Sequence, residues 1–113
     1  MSVHQKLASG KWFSMTLAEQ LGNVGSDFER ALKWRSKNQH ALFNTAAART
    51  LELMDLTLDD KRWHNHRLAE LTRLREQVCQ ELFESNDPRS AVGLKKYFLA
   101  MAVFAQHSHS IKV

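Results

Sequence analysis

The chain has 113 residues, 43% of them hydrophobic and 25% charged, which suffices for one domain whose core needs no disulfide or metal. Sixteen basic residues against twelve acidic ones give a net charge of +4, a modest bias toward acidic partners. One proline and four glycines are too few turn residues for a β-sandwich. Cys79 is the only cysteine, so no intramolecular disulfide can form and the chain reads as cytoplasmic. Met1 to Lys11 lacks the apolar run of a signal peptide. The longest apolar stretch, Phe98 to Ala105, falls well short of the roughly 20 residues of a membrane span, so no membrane partner is expected.

The first helix is expected over Thr16 to Lys37. Leu17, Leu21, Val24, Phe28, Ala31 and Leu32 recur at helical spacing and share one face. Thr16 and Glu19 form a capping-box pattern at its start. Gly22 and Gly25 each cost about 1 kcal/mol of helix propensity relative to alanine. Lying one turn apart, they point to a close crossing with another helix.

Asn38 is placed to cap a second helix, Gln39 to Leu58, whose apolar face includes Phe43, Ala46, Ala47, Leu51, Met54 and Leu58. A polar connection, Asp59 to Asn65, leads to a third helix over His66 to Glu84, with Leu68, Leu71, Leu74, Val78, Leu82 and Phe83 inward. Asn86, Asp87 and Pro88 break the chain again. The fourth helix is expected from Ser90 to Gln106, with Leu94, Tyr97, Phe98, Met101 and Phe104 or Ala105 inward. The expected architecture is a single all-α domain, an antiparallel up-and-down four-helix bundle over residues 14–106. Residues 1–13 form an N-terminal arm and residues 107–113 a flexible tail.

No motif for nucleophilic catalysis or nucleotide binding occurs. Four weaker constellations remain. The end of the bundle that holds Lys61, Arg62, Trp63, His64, His66 and Arg67 combines cations with an aromatic ring, as RNA-binding surfaces do, although a solvated loop with a packed tryptophan has the same composition. Arg35 and His40, separated by four residues, resemble the motif of HEPN-type ribonucleases, in which His serves as acid or base and Arg stabilises the phosphorane. The motif is short, and it falls at the first helix connection instead of late in the bundle. His64-Asn-His66 and His107-Ser-His109 are His-x-His pairs in expected loop and tail, so no metal and no cofactor is expected. Trp12, Phe13 and Trp34, with Met15 and Phe43, exceed what one slim core needs and suggest an apolar strip for self-association or a protein partner.

The segments Leu17-Ala-Glu-Gln-Leu-Gly-Asn-Val-Gly-Ser-Asp-Phe-Glu-Arg-Ala-Leu32, Arg49-Thr-Leu-Glu-Leu-Met-Asp-Leu-Thr57, Arg67-Leu-Ala-Glu-Leu-Thr-Arg-Leu-Arg-Glu76 and Lys96-Tyr-Phe-Leu99 together resemble a family of small uncharacterised bacterial proteins. The resemblance implies a standalone helical domain and carries no activity. It also implies a polar face beside the core, made by Glu19, Gln20, Asn23, Ser26, Glu29 and Arg30. The function expected from the sequence is a non-catalytic, self-associating interaction module. RNA binding at the basic end is the alternative, and a HEPN-type ribonuclease a remote one.

Overall fold

The computed structural model describes residues 10–85 and 87–111, and their side chains except those of residues 88 and 108–111. Residues 1–9 of the expected arm and 112–113 of the expected tail lie outside the described residues. Among the described residues four α-helices make up the fold: α1 Leu17–Ser36, α2 His40–Asp59, α3 Arg67–Phe83 and α4 Val92–Ile111. Short 3-10 turns at Trp12–Ser14, Lys61–Trp63 and Pro88–Ala91 precede α1, α3 and α4. Among the described residues there is no strand, and the chain forms an antiparallel four-helix bundle.

Helix α1 is central. It packs along α2 on one side and α4 on the other, and touches α3 more lightly. Leu21, Val24, Phe28 and Ala31 on its apolar face are fully buried. Its start is fixed as the sequence implies: the Glu19 N–H donates to Thr16 Oγ1 at 3.1 Å, and the Thr16 N–H donates to Glu19 Oε1 at 2.9 Å. Gly22 and Gly25 face α4. A Cβ at Gly22 would lie 3.1 Å from the Ala102 Cα, and one at Gly25 would overlap the Phe98 Cβ. The missing side chains are what let these two backbones approach.

The end of α1 departs from the sequence reading. Asn38 does not cap α2; it adopts the left-handed conformation, φ 57°, and terminates α1. The Asn38 N–H donates to the Arg35 carbonyl at 3.1 Å, and the Gln39 N–H to the Trp34 carbonyl at 2.9 Å, a Schellman turn. Asparagine tolerates this conformation better than most residues. Gln39 holds the N-cap position of α2 with no side-chain bond.

Two buried threonines on α2 satisfy themselves. Thr50 and Thr57 donate to the carbonyls of Ala46 and Leu53 at 2.8 and 2.9 Å, so they fill core space without orphaned hydroxyls. Arg75 of α3 pairs with Asp55 of α2 at 2.7 Å. The inward set of α3 is Leu71, Leu74, Val78 and Leu82, together with Glu81. Leu68 and Phe83, expected inside, are exposed. Phe83 instead meets the half-buried Phe43 edge-on, with ring centroids 6.0 Å apart.

Helix α4 continues past Gln106, where the sequence placed its end, to Ile111. Phe98 and Ala105 face the core, and Phe104 points outward. No described helix is long and apolar enough to cross a membrane.

Candidate functional site

The 3-10 turn Lys61–Trp63 brings the basic-aromatic residues to one bundle end, and its hydrogen bonds decide what they do. Asp60 caps the turn by accepting from the Arg62 N–H at 3.1 Å. The Asp60 carboxylate is buried and also receives Arg62 Nε at 3.1 Å and Nη2 at 2.7 Å. Arg62 Nη2 further donates to the Met15 carbonyl at 2.6 Å, and its guanidinium lies 4.6 Å from the Trp63 ring centre.

Gln20 of α1, fully buried, joins the pieces. Its amide nitrogen donates to the Trp12 carbonyl and to Asp60 Oδ2, both at 2.9 Å, and its oxygen accepts from Trp63 Nε1 at 2.9 Å. Gln20 therefore uses both donors and its acceptor, as a buried amide must. Burial works to raise the Asp60 carboxyl, but the hydrogen bonds from Arg62 and Gln20 outweigh it and hold the group below the usual carboxylate range. This network pins the Trp12 turn and the α2–α3 connection onto the first turns of α1. It was not legible in the sequence, where Gln20 counted only as one member of a polar face. That face divides: Asn23, Ser26, Glu29 and Arg30 are exposed, and only Gln20 turns inward.

Consequently Arg62 and Trp63 serve the fold. Trp63 is half-buried, with Arg62 over its ring and Arg67 6.0 Å from the ring centre. His64 is exposed and bonds the Leu58 carbonyl through Nε2 at 2.7 Å. Lys61, His66 and Arg67 are exposed. The cations remain outward, but the ring that would stack on a base is occupied.

Arg35 is likewise committed. Its Nη2 pairs with the buried Glu81 of α3 at 2.9 Å, and its Nη1 donates to the Glu81 and Ser85 carbonyls at the end of α3. Ser90 Oγ also donates to Glu81, at 2.6 Å. His40 is exposed at the first residue of α2 and does not line the depression that Arg35 shares with Arg30, Lys33 and Lys95. An arginine already neutralised by a carboxylate is poorly placed to stabilise a phosphorane. Among the described residues no three His, Cys, Asp or Glu side chains converge as a metal site. Of His109 only the helical backbone is described.

The expected apolar strip is also largely packed. Trp12 is fully buried, and Phe13 and Trp34 lie half-buried against the core. Lys33 and Lys37 sit 5.4 and 5.8 Å from the Trp34 ring centre. Much of the exposed apolar surface lies instead on α4, where Val92, Leu99, Val103 and Phe104 keep 44, 64, 57 and 62% of their surface; Leu42 of α2 and Phe83 of α3 are exposed elsewhere. Phe98 to Ala105 is apolar on every side, and a helix of that kind buries both faces when it can.

A groove of about 940 Å³ opens between α3 and α4, which scarcely touch each other. Half-buried Leu17 of α1 lies on its floor, above the buried Leu21, Leu71 and Leu74. Leu94, Tyr97 and Met101 form the α4 wall, and the α3 lip is polar. Neither a protein-family model, nor a curated protein, nor a solved structure matches this chain.

Proposed function

We propose that this chain is a non-catalytic interaction module that associates with a second copy of itself through the outward face of α4. The supporting observation is the row Val92, Leu99 and Val103, with Phe104 beside it, exposed along a helix whose stretch Phe98 to Ala105 is apolar on all sides. Such a row has the character of the patches of about 300–600 Å² that mark binding surfaces on monomers.

The arrangement of charges favours a two-fold antiparallel pairing of α4 with its copy. Centred on Met101, it sets Leu99 against Val103 of the second copy and Lys96 against Gln106 of the second copy. A parallel pairing would set Lys96 against its own equivalent. The antiparallel contact is self-complementary, as a closed dimer requires.

Sedimentation equilibrium over a wide concentration range tests the reading. The expected result is a dimer at micromolar concentration that Val103→Glu and Leu99→Glu each convert to a folded monomer. Trp34→Ala should leave the mass unchanged. A single-subunit mass at every concentration would refute self-association.

A further inference from the structure

Helices α3 and α4 are neighbours in an up-and-down bundle, yet α3 packs on α2, α4 packs on α1, and the space between them stays open. Its α3 lip is a straight rail. Arg67, Glu70, Arg73, Gln77, Gln80 and Glu84 recur every three or four residues along it, over about 25 Å at 1.5 Å per residue. Facing that rail, Leu94, Tyr97 and Met101 give an apolar wall, and Gly93 leaves a stretch of α4 backbone with nothing within 4 Å of where a Cβ would stand.

The groove also has an electrical direction. Arg67 and Arg73 flank the single Glu70 at one end, a net positive charge. At the other end Glu84 is exposed and Glu81 is already offset by Arg35, a net negative charge.

We propose that this groove receives an amphipathic helix of a partner protein, running antiparallel to α3, basic in its first half and acidic in its second. Leu17, with the Leu94, Tyr97 and Met101 wall, takes the apolar face of that helix, in the manner of helix-in-groove recognition. Its acidic half lies against Arg67 and Arg73, and its basic half against Glu84. The dipole of the incoming helix acts in the same sense, because its negative C-terminal end then faces the arginines. The free helix of a second copy does not fit, because α4 carries no acidic residue from Val92 to Ile111. The occupant is therefore a different protein, and the groove is a surface separate from the Leu99–Val103 face.

Two labelled peptides of roughly 18 residues, about the length of the rail, test this by fluorescence anisotropy on the full chain. Both carry leucines at helical spacing. One has lysines first and glutamates second; the other reverses the order. The first should bind about tenfold more tightly, the equivalent of two exposed charge pairs turned from repulsive to attractive. Arg67→Glu with Arg73→Glu should abolish that preference, and Gly93→Leu should weaken the preferred peptide several-fold, with helical circular dichroism and melting temperature retained in both variants. Equal affinity of the two peptides, no saturable binding, or binding that Gly93→Leu leaves intact while Leu99→Glu removes it would each overturn the proposal. Leu99→Glu alone separates this from self-association, since it should monomerise the chain and spare the preferred peptide.

Discussion

Gly25 of α1 and Phe98 of α4 meet where the two helices cross, so closely that a Cβ on the glycine would overlap the Phe98 Cβ. Phe98 is buried and its ring lies 5.6 Å from that of Phe28, so it has little room to retreat. Gly25→Ala should therefore destabilise the chain by roughly 1–2 kcal/mol, overpacking outweighing the gain in helix propensity. Gly22→Ala meets the Ala102 backbone at the looser distance of 3.1 Å, and its net effect should stay within about 1 kcal/mol of zero. Urea unfolding of the two variants checks the ordering, and equal stabilities would mean that the helices do not cross at Gly25.

The buried Asp60 carboxylate gives the second prediction. Its folded pKa lies below the value of about 3.9 for an unfolded aspartate. The stability it contributes is thus fully present above the unfolded value and is lost as pH falls through the folded one. Acid should loosen the Trp12 turn and the α2–α3 connection, read as a red shift of tryptophan emission. Asp60→Ala should cost about 1–3 kcal/mol at neutral pH, because it strips a partner from buried Gln20. The same variant should flatten the acid limb of the stability curve; an unchanged limb would place the responsible carboxylate elsewhere.

The contrast between these two sites explains what was legible in the sequence. The capping box, the apolar face of α1 and the Gly22–Gly25 crossing are written in residues a turn or two apart, so spacing alone exposes them. Gln20 and Asp60 are forty positions apart, and Arg35 and Glu81 forty-six. Each reads alone as a solvated polar residue, and only tertiary contact buries Gln20, Asp60 and Glu81. Trp12 carried no helical pattern that could mark it as core. On α4 the difficulty is opposite: a run apolar on every side has no periodic face, so nothing in it tells Ala105 from Phe104. The groove has no local signature, since it lies between α3 and α4, each of which packs on a different neighbour.

The Arg35–Glu81 pair supplies the next test. Arg35→Ala would leave Glu81, 5% exposed along its side chain, without its cation. The cost should be about 3 kcal/mol, the low end for a buried pair, because Arg35 itself keeps a quarter of its side chain in solvent. A double-mutant cycle with Glu81→Ala should show favourable coupling. Additive effects would mean that Arg35 is held by the Glu81 and Ser85 carbonyls alone and that its charge is available for other chemistry.

Tyr97 is the only tyrosine, so its ionisation can be followed alone by the tyrosinate absorbance. Tyr97, expected inward, keeps 39% of its surface, and its partial burial in the α4 wall raises its phenol above the usual range; the Glu70 carboxylate across the groove adds to this, and Arg67 opposes it. In the unfolded chain the phenol ionises at about 10. Above that value the unfolded state has released a proton that the folded state still holds, so stability should fall as pH rises. Glu70→Gln should lower the folded pKa and Arg67→Ala should raise it further. Opposite responses to two residues a turn apart on α3 would report that Tyr97 faces that helix across an open groove. If neither variant moves the titration, Tyr97 is not in electrostatic contact with the rail, and the proposed partner helix loses one of its two walls.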